Sequence, residues 1–150
     1  MDSSDIRQFV PHAGLMCLLD RVLASGDTWL EAEVTIRPDS LFCDGAGVGA
    51  WVGIEYMAQA IAAYGGVRAR RQGQAVKIGF LVGTRKYASQ WPAFPLGSRL
   101  HLRVDQQYEA DNGLSVFDCR LTCENEEVAS ATITVFQPAD PAAFLKGTAA

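Results

Sequence analysis

Glu55 lies in the stretch Trp51-Val52-Gly53-Ile54-Glu55-Tyr56-Met57-Ala58-Gln59-Ala60-Ile61, where nearly every other residue is apolar. A carboxylate in such surroundings is seldom buried without a partner or a task. Burial would raise its pKa, leaving it partly protonated near neutral pH and able to give a proton as a general acid. Gln59, four residues on, shares its helical face and is placed to hydrogen-bond it. The competing reading is a glutamate near a helix start, favoured by the dipole and facing solvent.

A general acid needs a base, and the chain has two histidines. His101 falls on the polar phase of Leu100-His101-Leu102-Arg103-Val104 and reads as a surface residue. His12 stands between Pro11 and Ala13-Gly14, just ahead of the apolar run Leu15 to Leu19. A neutral imidazole held in a defined loop beside apolar sequence suits a general base, and a loop histidine with no such task is the alternative. The glycine-rich stretch Cys43-Asp44-Gly45-Ala46-Gly47-Val48-Gly49 feeds the apolar segment, and the N–H groups of Gly47 to Ala50 are expected to be unsatisfied there. Those of Gly49 and Ala50 would polarise a substrate carbonyl. Walker, dinucleotide-binding and Gly-x-Ser-x-Gly motifs are absent, and Cys43 has no base beside it in sequence. Acid–base work is what these residues leave.

Such groups must be held in place. Ala50 to Arg71 lacks proline, is rich in alanine and is apolar nearly all round, which predicts a helix surrounded by other elements, with Trp51 and Tyr64 in the core. Arg68, Arg70 and Arg71 before Gly73 suit the negative end of that helix, a phosphate contact being their other possible use. Before the helix, Val22-Leu23 and Trp29 to Ile36 read as a hairpin around Gly26-Asp27, with Leu30, Ala32, Val34 and Ile36 on one face. After it come strand patterns at Val76 to Val82 leading to Tyr87, a turn at Pro92 to Gly97, then strands at Leu100 to Val104, Leu114 to Cys123 and Glu127 to Phe136, the last three joined by turns at Asp111-Asn112-Gly113 and Asn125. Two strands, one long helix and several antiparallel strands imply an α+β domain whose sheet curls round the helix.

Composition bounds the possibilities. With 150 residues, 49% hydrophobic and 20% charged, a single domain over residues 1–150 with a full core is expected. Cys17, Cys43, Cys119 and Cys123 are irregularly spaced and read as reduced, core-filling thiols, with no metal site. Acid exceeds base, 17 residues to 13, without a basic stripe, which argues against nucleic acid. Glu55 and Gln59 interrupt the most apolar run, so no membrane insertion is expected. The polar, acidic start Met1-Asp2-Ser3-Ser4-Asp5 is unlike a signal peptide, and a cytoplasmic location is expected.

Two motifs together resemble the 3-hydroxyacyl-[acyl-carrier-protein] dehydratases of the hot-dog superfamily. Val10-Pro11-His12 through Leu18-Leu19-Asp20-Arg21-Val22 is similar to the Leu-Pro-His … Leu-Leu-x-Asp-Arg-Val opening of that family, and Gly53-Ile54-Glu55-Tyr56-Met57-Ala58-Gln59-Ala60 to its central-helix motif. Phe80 to Tyr87 and Pro95 to Leu100 are fainter echoes. Within the superfamily the chain looks most like the small dehydratase-type proteins of aryl polyene gene clusters. The resemblance implies a hot-dog fold, a long central helix wrapped by a bent antiparallel β-sheet, paired into dimers with active sites at the interface. It maps the helix acid onto Glu55. The family's loop histidine has no counterpart, because Phe42 to Gly49 carries neither histidine nor proline.

The expected reaction is dehydration of a 3-hydroxyacyl thioester on acyl-carrier protein to the trans-2-enoyl thioester, with His12 as base and Glu55 as acid. No metal or redox cofactor is called for, since phosphopantetheine enters with the substrate. Arg85 and Lys86, or the helix-end arginines, would meet its phosphate or the acidic carrier. A hot-dog thioesterase and a non-catalytic subunit of a heterodimeric dehydratase are the alternatives, and the partner is a second copy or another hot-dog subunit.

Overall fold

Alternation along the strands decides which side of the sheet is dry. In β2 (Trp29–Thr35) Leu30, Ala32 and Val34 are buried, in β6 (Arg99–Glu109) Leu100, Leu102 and Val104, and in β7 (Leu114–Cys123) Phe117, Cys119 and Leu121. The intervening residues are polar and lie on the outer face, the pattern of an antiparallel sheet with one covered side. Each fully buried leucine on that side contributes about 1.5–3 kcal/mol. The computed structural model describes residue 5 and residues 17–74 and 80–137, with the backbone alone at 80–82. With β1 (Arg21–Ser25), β4 (Phe80–Ser89) and β8 (Glu126–Phe136), these strands form a six-stranded antiparallel sheet in the order β1-β2-β6-β7-β8-β4. The β7–β8 hairpin turns on Glu124 and Asn125, both at positive φ as a two-residue primed turn requires.

The helix α1 (Gly53–Arg71) crosses the covered side, setting Tyr56, Met57, Ala60, Ile61, Ala63 and Tyr64 into one core with the inward strand residues. Its end is a Schellman motif: Gly73 at φ 68° donates to the Arg70 carbonyl, and Gln74 to that of Ala69. Arg68 and Arg71 then tie this end down. Arg68 grips Glu109 of β6, and Arg71 bonds the Ser25 hydroxyl and the Gly26 carbonyl at the β1–β2 turn. The fold is the α+β hot-dog arrangement read in the sequence.

Several details differ from the sequence reading. The glycine-rich stretch is not only a loop: Gly47–Gly49 forms a short strand, β3, paired with β5 (Ala93–Pro95). A Cβ on Gly47 would lie 2.2 Å from the Phe94 carbonyl oxygen, so this close backbone pairing needs glycine. Ala50–Val52 is a 3-10 turn, and the α-helix begins only at Gly53. That turn swings Trp51 outward, 66% exposed and edge-on to Phe42, whereas Tyr64 is buried as expected. Nor is α1 enclosed all round, since Ala58, Ala62 and Gly65 are only half-buried. The strand expected from Val76 is described from Phe80 onward.

Candidate active site

Glu55 occupies the first turn of α1, where the helix dipole favours a carboxylate. It is half-buried, lying at the edge of the core and not inside it. One turn further, Gln59 is completely buried, and a buried amide must find partners for both ends. Its Nε2 donates to Glu55 Oε1 at 3.2 Å, while its Oε1 accepts the Leu18 N–H at 2.8 Å. The Leu18 bond fixes which end of the amide is which, so Gln59 can offer Glu55 only a donor. A side chain so held orients the carboxylate in a way a solvated partner would not.

The segment containing Leu18 is anchored in turn by Asp20. Its carboxylate accepts the Thr35 N–H at 2.8 Å and a bond from Arg37 Nη1 at 3.0 Å, and its own N–H donates to the Glu33 carbonyl. The ion pair holds the Arg37 guanidinium above its ordinary pKa. On the other side of the helix start, Tyr87 donates its hydroxyl to the Ala50 carbonyl, an approach open only because Gly53 has no Cβ, which would lie 2.4 Å from the Tyr87 hydroxyl oxygen.

The N–H groups ahead of the helix are largely spoken for, which corrects the sequence reading. Asp44 Oδ1 takes those of Ala46 and Gly47, and the Ala50 N–H donates to the Pro92 carbonyl at 3.0 Å. Ala50 is therefore not an open donor for a substrate carbonyl. Gly49 lies in β3 opposite Ala93.

From Glu55 a groove of about 380 Å³ runs along α1 over Ala58, Ala62 and Gly65 toward the helix end. Its far end is polar. Arg68 makes a two-point contact with Glu109 at 2.6 and 3.1 Å, and Gln106 Nε2 lies 3.2 Å from both Glu109 Oε2 and Ser115 Oγ. The Tyr64 hydroxyl stands between the Asp27 carbonyl at 2.6 Å and Gln106 Oε1 at 3.1 Å. Burial raises the Tyr64 pKa, and Arg68 holds that of Glu109 below the usual carboxylate value.

A family model described as ApeP dehydratase matches residues 4–146. The chain belongs to the ApeP dehydratase family. No curated protein gives a significant match. Among solved structures, a chain of the dehydratase heterocomplex ApeI:P from Xenorhabdus doucetiae superposes with a TM-score of 0.86 at 24% identity, over 95% of each chain. A hypothetical thioesterase from Streptococcus pneumoniae, solved with coenzyme A, gives 0.60 at 13% identity over 78% of this chain and 84% of the other. The PaaI protein of E. coli gives 0.59 at 13%, over 77% and 80%. At these identities the structures share the fold.

For this ApeP dehydratase family member, the sequence-derived residues separate into three groups. Glu55 and Gln59 are brought together as expected. His12 lies outside the described residues. His101 is on the outer face, 3.3 Å from Glu31 and 3.4 Å from the Thr122 hydroxyl, away from the groove. Arg85 and Lys86 are exposed on β4. The four cysteines are free thiols, with Cys119 fully buried and its pKa pushed up by that burial. Among the described residues no helix is long and apolar enough to cross a membrane. Arg37, the cluster residues Gln106, Glu109 and Ser115, and the anchoring roles of Asp20 and Tyr87 escaped the sequence reading. The one available signal was Asp20 in the Asp-Arg-Val opening.

Proposed function

We propose that this chain dehydrates a 3-hydroxyacyl thioester carried on acyl-carrier protein, in polyene or fatty acid biosynthesis. The observation carrying the proposal is Glu55, oriented by the buried Gln59 amide at the mouth of a groove long enough for an acyl chain. Membership of a dehydratase family supports the reaction class. His12 takes a proton from the carbon next to the thioester carbonyl. The C3–O bond breaks as the C2–C3 double bond forms, and Glu55 passes a proton to the departing oxygen, which leaves as water. His12 is six residues before Leu18, whose N–H holds Gln59, so the chain carrying the base leads directly to the group that orients the acid. Polarisation of the carbonyl falls to the positive end of α1 and to Gly49 on the strand turning into it. Phosphopantetheine arrives as part of the substrate, and Arg85 and Lys86 meet its phosphate or the acidic carrier.

A second reading has its own support. The loop 42–49 has no histidine, and the Xenorhabdus doucetiae neighbour is a heterocomplex. On that reading the chain is the partner subunit of a catalytic hot-dog protein. Incubation of the full chain, alone and with such a partner, with a 3-hydroxyacyl thioester on carrier protein separates the cases. Enoyl absorbance marks the dehydratase, and free thiol a thioesterase. His12→Ala and Glu55→Gln should each lower the dehydration rate about 100-fold or more. Rates left nearly intact in the complex would assign the chain a non-catalytic role.

A further inference from the structure

Two bulges in the sheet turn a side chain onto α1, one at each end of the helix. In β6 the bulge lies between Gln106 and Tyr108: Gln106 pairs with Phe117, Tyr108 with Val116 and Glu109 with Ser115. Glu109 thereby faces inward and meets Arg68, while Tyr108 is exposed. In β4 the bulge lies between Arg85, opposite Thr132, and Ala88, opposite Ser130, so that Lys86 and Tyr87 together face the buried Ala131. A regular ladder would set Lys86 against Ala131 on the dry side and turn Tyr87 out to solvent. Lys86 instead takes φ 56° and is exposed, and Tyr87 packs half-buried against the core. A left-handed lysine is strained, and such strain persists only where the surrounding structure demands it. Bulges re-aim side chains beside functional sites.

What Tyr87 reaches is the peptide on which the helix begins. Its hydroxyl donates to the carbonyl of buried Ala50, which also accepts the Gly53 N–H, and the Ala50 N–H donates to the Pro92 carbonyl. Ala50 is thus gripped on both sides by the chain running from β4 into β5. A donor set beside a helical carbonyl tilts it off the axis, which favours the tight 3-10 bond to Gly53 over an α-helical bond to Ile54. The difference is large: three residues of 3-10 helix turn the chain about 360°, three of α-helix about 300°. That step of about 60° fixes the angle between β3, which enters the helix, and Glu55 in the first turn of α1. Burial raises the Tyr87 pKa, which keeps the phenol a donor. Tyr87 is not among the residues bordering the groove, so it works through the helix and not on a substrate. We propose that Tyr87 is a positioning residue of the candidate site: by holding the Ala50 carbonyl it sets the rotation at which α1 presents Glu55. Its effect on rate rests on the dehydratase reading above.

The test is Tyr87→Phe, which removes the hydroxyl alone, in the full chain and its native assembly, with thermal melting to confirm folding. The side-chain amide signals of Gln59 in proton–nitrogen NMR spectra report the bond to Glu55 Oε1, and turnover of a 3-hydroxyacyl thioester on carrier protein reports the reaction. Tyr87→Phe should displace those signals, lower kcat about 5-fold or more and leave KM within about twofold. In a Glu55→Gln background the same change should cost no more than about twofold, because the group it positions is already gone. Gly73→Ala loosens the other end of α1 and serves as the destabilised control, with Gln59 signals and kcat as in the parent. Unmoved Gln59 signals, an equal displacement in Gly73→Ala, an unchanged kcat in an active assembly, or a loss that adds in full to that of Glu55→Gln would overturn the inference. Displaced signals in an assembly that does not turn the thioester over would sustain it and refute the dehydratase reading, and turnover with the signals unmoved would do the reverse.

Discussion

Replacing Gln59 by leucine removes an amide of similar size and leaves its two partners behind. The Leu18 N–H loses its acceptor at 2.8 Å and Glu55 loses its donor at 3.2 Å. A buried donor left unsatisfied costs about 1–3 kcal/mol, and the bond to a carboxylate is of similar size. Leucine recovers part of this through apolar burial, so a net loss of about 2–3 kcal/mol is expected, about 5–10 °C in Tm for a chain of this length. Urea unfolding should show a lower midpoint with an unchanged slope. Gln59→Glu separates the two bonds, because it keeps an acceptor for Leu18 and sets a second carboxyl against Glu55. Burial beside a like charge raises the folded-state pKa of the new pair above the unfolded value of about 4.3. Gln59→Glu should therefore approach the parent's stability below about pH 4 and lose it as pH rises through the raised folded pKa, while Gln59→Leu shows no such added slope. A Gln59→Leu loss under about 0.5 kcal/mol, or equal pH slopes in the two variants, would refute the role given to this amide.

Three further outcomes are expected. Gly113 has φ 97° and a Cβ there would lie 2.4 Å from the Gln137 carbonyl oxygen, so Gly113→Ala should cost at least about 2 kcal/mol in urea titration. Gly73→Ala, at φ 68° but with open space around the Cβ, should cost only about 1–2 kcal/mol. Arg68 lowers the folded-state pKa of Glu109, a contribution present above the unfolded carboxylate pKa and lost as pH falls through the folded one. Arg68→Met should accordingly flatten the acid limb of the stability profile between about pH 3 and 5.

The fold was legible where one local rule sufficed. Leu30, Ala32 and Val34 alternate over a single strand, Asn125 marks its own turn, and the proline-free, alanine-rich stretch ends in arginines and Gly73 as a helix does. Glu55 stood out against apolar neighbours, and Gln59 followed from the four-residue repeat. The remainder depends on distant parts of the chain. β3 and β5 are three residues each and are held by backbone pairing, which leaves no side-chain period to read. Trp51 looked like core because the helix was extended back to Ala50, and the 3-10 turn changes its direction. Arg68 and Glu109 are 41 residues apart, and the bulge breaks the very alternation that would have placed Glu109. Asp20 and Arg37 meet only once β2 is laid beside the entering chain.

The extra residue in β6 also bears on how such a chain can change. Losing one codon at 107 would leave Gln106, Tyr108 and Glu109 opposite the same partners in β7 and simply make the ladder regular. Length variation at that point is then silent in what lines the interior. A one-residue slip confined to the ladder beyond Gln106, in contrast, would set Tyr108 in place of Glu109 opposite Ser115, exchanging an acid for a phenol at the end of the groove.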